Sequence, residues 1–307
     1  MTTSDKNASA ATRGTLAALA CFLFWGVIPV YWKQMQGIAA TELIAHRIVW
    51  SLVFLGAVLA VRRDVGAVRT ALTDPRQLGL TLLSGSLLTV NWLVYVWAVN
   101  HGHVIESSLG YFLVPLFNVA LGFLVLHERL RPLQWLAVSC AAGGVALLLF
   151  GLGRLPWIAL TLAGSWGCYS LMRRRSPLGS LDGLAVETLL LAPAAVAFLL
   201  WRQHTGTGAL GRVDLATHGF VLSAGWVTAI PLILFAYGAR RIRFTTLGLL
   251  QYLSPTVQFL VGLLVYHEVF DAARGRAYGF IWCGLVLYTA DSLWAQRRLL
   301  RAAVSGQ

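Results

Sequence analysis

Charge is scarce in this sequence. Asp, Glu, Lys and Arg make up 12% of its 307 residues. A soluble domain carries roughly 25%, so a soluble fold is excluded early. Cysteine is scarce as well. Cys21, Cys140, Cys168 and Cys283 stand without metal-ligand spacing, and each falls inside an apolar run, where it reads as a small packing residue. The nucleophile elbow, the phosphate-binding loop and the dinucleotide fingerprint are missing. That removes the usual signs of an enzyme, of an ATP-driven pump and of a bound cofactor. Two His-Glu pairs, His127-Glu128 and His267-Glu268, lack HExxH spacing, so no metal site is expected. They read as helix-end caps or ion-pair partners.

Apolar length is what the sequence has in excess. Hydrophobic residues make up 58%, and they gather in blocks of about 20, the length a helix needs to cross a bilayer. The blocks are 14–32, 42–61, 78–99, 109–126, 133–150, 155–172, 182–201, 217–239, 246–266 and 276–295. None alternates as β-barrel strands do. The reading is an all-α polytopic membrane protein with ten transmembrane helices. The polar segment 1–13 reads as a disordered tail. Residues 14–150 and 155–295 form two five-helix units, and 296–307 a basic tail. The first block does not read as a cleaved signal peptide, because Pro29-Val30-Tyr31-Trp32-Lys33 is a poor cleavage site.

The net charge of +12 suggests nucleic acid at first sight. Its distribution argues for a bilayer instead. Seventeen Lys and Arg fall on segments that are inner if the N-terminus is inside, and six on outer loops. Loop cations orient spans with the richer side in the cytoplasm. Both termini are therefore expected in the cytoplasm, with a lipid bilayer rather than nucleic acid as the partner.

A repeat organises the chain. The stretch "GYFLVPLFNVALGFLVLHE" (110–128) returns as "LQYLSPTVQFLVGLLVYHE" (250–268). Pro115 matches Pro255, Asn118 matches Gln258, Gly122 matches Gly262 and the His-Glu pairs match, all at an offset of 140. Gly85 and Gly225, Gly144 and Gly284, and Arg47 and Glu187 share that offset, and "FWG" (24–26) answers "SWG" (165–167) one residue out of step. Five is odd, so the second unit must enter the membrane from the other side. The expected architecture is two inverted five-helix repeats, which points to a carrier with its site near the midplane. Tyr111, Pro115, Asn118 and Gly122 share one helical face, as do Gln251, Pro255, Gln258 and Gly262. A mid-span amide facing lipid is costly, so both ridges are expected to line a common pathway, with Pro115 and Pro255 as hinges. The plainer reading is that the amides bond across helix interfaces.

Charged and aromatic residues inside spans complete the candidate site. Arg47 suits a substrate carboxylate, or it snorkels to the interface. His46 titrates near neutrality or simply packs. Glu187 is a candidate proton carrier, or a partner of the Arg173–Arg175 cluster. Asn91, Trp92 and Tyr95, with Trp25, Tyr111 and Tyr252, are candidates for an aromatic pocket with polar tips. Trp32 and Trp201 read as interface anchors.

The chain resembles the drug/metabolite transporter superfamily in its EamA-type form, and within it the RarD branch. The resemblance rests on "FWGVIPVYWK" (24–33), "ELIAHRIVWS" (42–51), "NWLVYVWAVN" (91–100), "ESSLGYFLVPLFNVALG" (106–122), "HERLRPLQWLAV" (127–138) and "TLGLLQYLSPTVQFL" (246–260). It implies a ten-span bundle with a central cavity lined by spans 1, 3, 4, 6, 8 and 9, and export or exchange of small metabolites. "SWGCYSLMRRRSP" (165–177) matches less well. The expected function is a secondary transporter of small organic solutes working by alternating access, with protons as the candidate driving ion. The alternatives are a channel-like permease or a membrane-embedded enzyme.

Overall fold

The computed structural model describes residues 3–101, 103–150, 156–266 and 272–305, and every regular element among them is a helix. The first half contains α1 (Thr3–Trp32), α2 (Ala40–Arg62), a short α3 (Gly66–Thr73), α4 (Pro75–Asn100), α5 (Val104–Leu124) and α6 (Pro132–Phe150). The second contains α7 (Trp157–Arg175), α8 (Ser180–His204), α9 (Leu215–Ala239), α10 (Phe244–Leu250), α11 (Leu253–Leu264) and α12 (Ala272–Ser305). Among the described residues, six stretches are long and apolar enough to cross a membrane: α1, α2, α4, α8, α9 and the α10–α11 pair. Shorter apolar stretches lie in α5 and α6.

Helix boundaries follow local chemistry. Asp74 precedes α4 and accepts from the backbone N–H groups of Arg76 and Gln77, with Pro75 at the first helical position, where its missing donor costs nothing. The Arg76 N–H, helped by Gln77, holds the Asp74 carboxyl below its ordinary value. Asp214 caps α9 by accepting from Ala216 and Thr217.

The structure departs from the sequence reading at three places. α1 already begins at Thr3, where a disordered tail is expected; the basic C-terminal segment simply continues α12 to Ser305. Alanine-rich composition favours helix in the first of these. The short α3 is too brief to register as an apolar block. The ninth block divides into α10 and α11 at Gln251–Tyr252. Pro255 explains the position of that break, because its ring clashes with the carbonyl four residues earlier, that of Gln251. His267-Glu268 and Arg154 lie outside the described residues.

Packing pairs run between the halves. α6 packs on α12, α5 on α7, α1 on α11, α2 on α9, α4 on α8, α1 on α9, α4 on α7, α2 on α8 and α5 on α10. Exchanging the halves in order maps each of these pairs onto itself or another. Glycines mark the closest approaches. A methyl on Gly144 would come within 2.7 Å of the Ala277 oxygen, and one on Gly284 within 2.5 Å of the Ala137 oxygen. Both members of each contact differ by 140 positions from their counterparts. Likewise Gly26 is pressed against Val257 and Gly167 against Phe117, so the shifted FWG and SWG motifs do equivalent work.

Candidate functional site

The basic segments gather at one end of the bundle. Arg174 donates to the carbonyls of Ala239 and Ile242, Arg240 to those of Ser176 and Leu178, Arg175 to Val125 and Arg243 to Arg129. Glu128, turned back by the left-handed His127 (φ 53°), accepts from the N–H groups of Phe244 and Thr245 at 2.7 and 2.9 Å. It also pairs with Arg174 at 3.4 Å. A carboxylate on orphan helix N–H groups is a strong cap. The His-Glu pair at 127–128 is thus a helix-end device, but it caps α10 rather than its own helix. The centre of this end, between α1, α9 and α10, is closed by Phe22, Phe235, Phe244 and Leu247, all fully buried.

At the opposite end Glu42 accepts from Arg202 and from Ala209 N–H, and Tyr31 donates to the Phe220 carbonyl. Arg47 lies just inside. Its guanidinium stands 4.5 Å from the Trp92 ring and 4.9 Å from the Trp32 ring, and its Nε donates to Thr228 Oγ1 at 3.0 Å. Stacking of this kind contributes about 0.5–2 kcal/mol per ring and fixes the plane of the guanidinium. Tyr95 and Tyr111 pack edge to face at 5.6 Å. Tyr95 is 39% exposed, and Trp92 and Tyr111 are half-buried. Deeper in, Trp25 meets Trp166 at 5.2 Å and Phe235 at 5.8 Å, an aromatic layer between this group and the closed end.

The remaining sequence candidates divide. Trp92, Tyr95, Tyr111 and Arg47 come together. Trp32, which reads as an interface anchor in the sequence, joins them. Asn91 is buried and donates to Leu162 O and Ser165 Oγ, tying α4 to α7. Tyr252 is fully buried in a separate cluster with Phe112, Ala141, Ile281 and Tyr288, away from the aromatic group, because the break before α11 turns it toward α6 and α12. Asn118 is fully buried and donates to Gln251 Oε1 at 2.9 Å across the α5–α10 crossing. Gly248 permits that crossing, since a methyl there would meet Pro115 O at 2.8 Å. Gln258 is exposed and donates to Trp25 O at 3.0 Å. Pro115 sits inside an unbroken α5, and Pro255 follows the break. His46 is buried 3.9 Å from Glu42, with no hydrogen-bond partner for its ring nitrogens among the described residues.

Glu187 is buried at 1% exposure. Ser84 Oγ lies 2.5 Å from its Oε1, Tyr169 donates to Oε2 at 3.4 Å, and Arg173 stands 3.5 Å from Oε1. Arg47 and Glu187 also border one cavity of about 20 Å³, room for about one water. Its lining contains five pairs at the repeat offset: Arg47 and Glu187, Ile48 and Thr188, Ser51 and Leu191, Leu88 and Thr228, Trp92 and Leu232. The cavity maps onto itself when the halves are exchanged. Sequence reasoning missed Ser84 and Tyr169, which carry no local signal beyond their polarity or size, and it marked Trp166 only as part of the SWG echo.

Comparison with known proteins agrees with this architecture. The EamA-like transporter family matches residues 12–150. Protein RarD of Streptomyces exfoliatus is 42% identical over 290 residues, covering 93% of this chain and 90% of the relative. An uncharacterized transporter of Pseudomonas aeruginosa is 42% identical over 287 residues, covering 94% and 96%. A solved crystal structure superposes with a TM-score of 0.69 at 21% identity, over 90% of this chain and 97% of that one, which shows a shared fold. The protein is a multi-pass bacterial membrane protein, and it belongs to the EamA-like transporters of the drug/metabolite transporter superfamily, among the RarD proteins.

Proposed function

We propose that this transporter is a secondary carrier of small organic solutes, working by alternating access across the inner membrane. In this reading α10 and α11 are one interrupted span and α3 lies outside the hydrocarbon. That gives ten spans in two inverted halves, with both termini and the arginine-rich end in the cytoplasm. Reporter fusions after Arg76 and Arg175 then report cytoplasm and fusions after Gly206 periplasm; the reverse pattern would overturn the orientation.

One observation carries the reading, an asymmetry between equivalent positions. Near the arginine-rich end Asn118 bonds Gln251. The repeat counterparts of those two residues are Gln258 and Tyr111. They have other partners: Gln258 bonds Trp25 O, and Tyr111 packs on Tyr95. A duplicated bundle closed by one contact at one end, with the matching contact unmade at the other, has the form of one state of a two-state carrier.

The site at the unmade end suits a planar or amphipathic anion. Arg47 supplies a fixed fork for a carboxylate. Trp25, Trp92, Tyr95 and Tyr111 supply flat apolar walls, and Gln258 a polar tip. Glu187 carries the coupling proton. Pro115 and Pro255 are the yielding points, and Asn118 and Gln251 form the closure at the far end.

The test is a screen of aromatic and aliphatic carboxylates in proteoliposomes under an imposed pH gradient. At least one planar acid is expected to move. Arg47→Ala should lower its flux by about 100-fold, the loss of one charge-assisted pair worth about 3 kcal/mol. Arg47→Lys should not rescue it, since an ammonium neither forks nor stacks as a guanidinium does. Normal flux in Arg47→Ala would remove Arg47 from the site.

A further inference from the structure

A cavity of about 290 Å³ lies at the arginine-rich end, between the start of α4, the end of α7 and the turn into α8. Its wall includes Ser84 and Arg173, the two residues that stand at 2.5 and 3.5 Å from Glu187 Oε1. Glu187 in turn borders the small axial cavity, whose lining includes Arg47. The carboxylate is therefore the partition between a cavity at one end of the bundle and a cavity on its axis. The Nε of Arg173 is buried without a partner among the described residues, so this wall is not a fully satisfied salt-bridge network.

We propose that the 290 Å³ cavity is the aqueous access path from the arginine-rich end to Glu187, with Ser84 relaying protons between its water and the carboxylate. The proposal rests on the reading of Glu187 as the coupling site of a carrier. The step balances simply. A hydronium in the cavity gives a proton to Ser84 Oγ as the Ser84 proton passes to Glu187 Oε1, leaving water, an intact hydroxyl and a neutral carboxylic acid.

The surroundings favour a proton over a metal cation. α7 presents Tyr169 and the Arg173 cation, α4 presents Ser84, and α2 presents Arg47 across the axial cavity. α9 contributes Thr228 and Leu232 to that cavity, and α1 brings Cys21 close to Tyr169. A metal ion needs several oxygen ligands at short range, and here two cations flank one carboxylate. A proton needs only the one oxygen.

Thiol accessibility tests the path without any knowledge of the solute. In a full-length chain with Cys21, Cys140, Cys168 and Cys283 replaced by Ala, Ser84→Cys is exposed to membrane-impermeant sulfonatoethyl methanethiosulfonate, in inverted and in right-side-out vesicles. Labelling is expected at least about tenfold faster from the arginine-rich side. Leu93→Cys, on the lipid side of the same helix, is the slow reference, and gel filtration confirms that each variant is folded. Labelling of Ser84→Cys no faster than Leu93→Cys, or faster from the opposite side, overturns the path. The relay has its own readout. Ser84→Ala should shift the pH at which solute flux is half-maximal, Ser84→Thr should restore it, and Glu187→Gln should flatten the profile. An unshifted profile in Ser84→Ala removes the relay. If no solute moves at all but the labelling asymmetry stands, the carrier reading fails and the path survives.

Discussion

α5 and the α10–α11 pair carry one motif in two conditions. Proline, amide and glycine recur at matching positions, yet α5 runs unbroken through Pro115 while its counterpart breaks ahead of Pro255. Asn118 is sealed in protein, and Gln258 is exposed. The difference lies in the neighbours. α5 is held along its length by α7 on one side and by α10 on another. The counterpart is divided, with α10 packed on α5 and α11 packed on α1, so its two halves answer to different partners. A proline sets where a helix yields at low cost; tertiary contact decides whether it does. Two equal copies in unequal surroundings are what a rocking carrier requires at any one moment, because a symmetric bundle would be open or shut at both ends.

The largest effect should come from locking that inequality. In the cysteine-replaced chain, Asn118→Cys with Gln251→Cys should be bridged by a short membrane-permeant bifunctional thiol crosslinker, slowly because both positions are buried, and flux should then stop completely. Tyr111→Cys with Gln258→Cys, the equivalent pair, should crosslink only while solute is being carried, as the opposite end closes in its turn. If the second pair never crosslinks in protein that transports, the two ends do not exchange roles and alternating access is wrong.

The same comparison separates what the sequence could reveal from what it could not. Helices were legible because apolar blocks of membrane length admit little else. The offset of 140 was legible because Pro, Gly and His-Glu are uncommon neighbours in such blocks. Arg47 and Glu187 could be singled out because charge inside a span is costly. The partner of Asn118 was not legible. Gln251 is 133 positions away, and the repeat pairs Asn118 with Gln258 instead, so internal symmetry suggests a relation that this conformation does not use. Trp32 was not legible either. A tryptophan at a span end is an interface anchor or a site wall depending on which way its helix turns, and only packing fixes that. The helix over residues 3–13 and the short α3 lay below any hydropathy signal.

The smallest expected effect measures the comparison in stability. Asn118→Leu leaves the Gln251 side-chain oxygen buried without its donor, a loss of about 1–3 kcal/mol. Gln258→Leu changes an exposed amide and should cost under about 0.5 kcal/mol. With roughly 1–2 °C of melting temperature per kcal/mol for a chain of this size, thermal unfolding in detergent should place Asn118→Leu a few degrees below Gln258→Leu. Adding Gln251→Leu to Asn118→Leu should recover much of the loss, because removing both partners of a buried hydrogen bond costs far less than orphaning one. Equal losses at Asn118 and Gln258 would mean that both amides sit in like surroundings, and the unequal closure of the two ends would go with them.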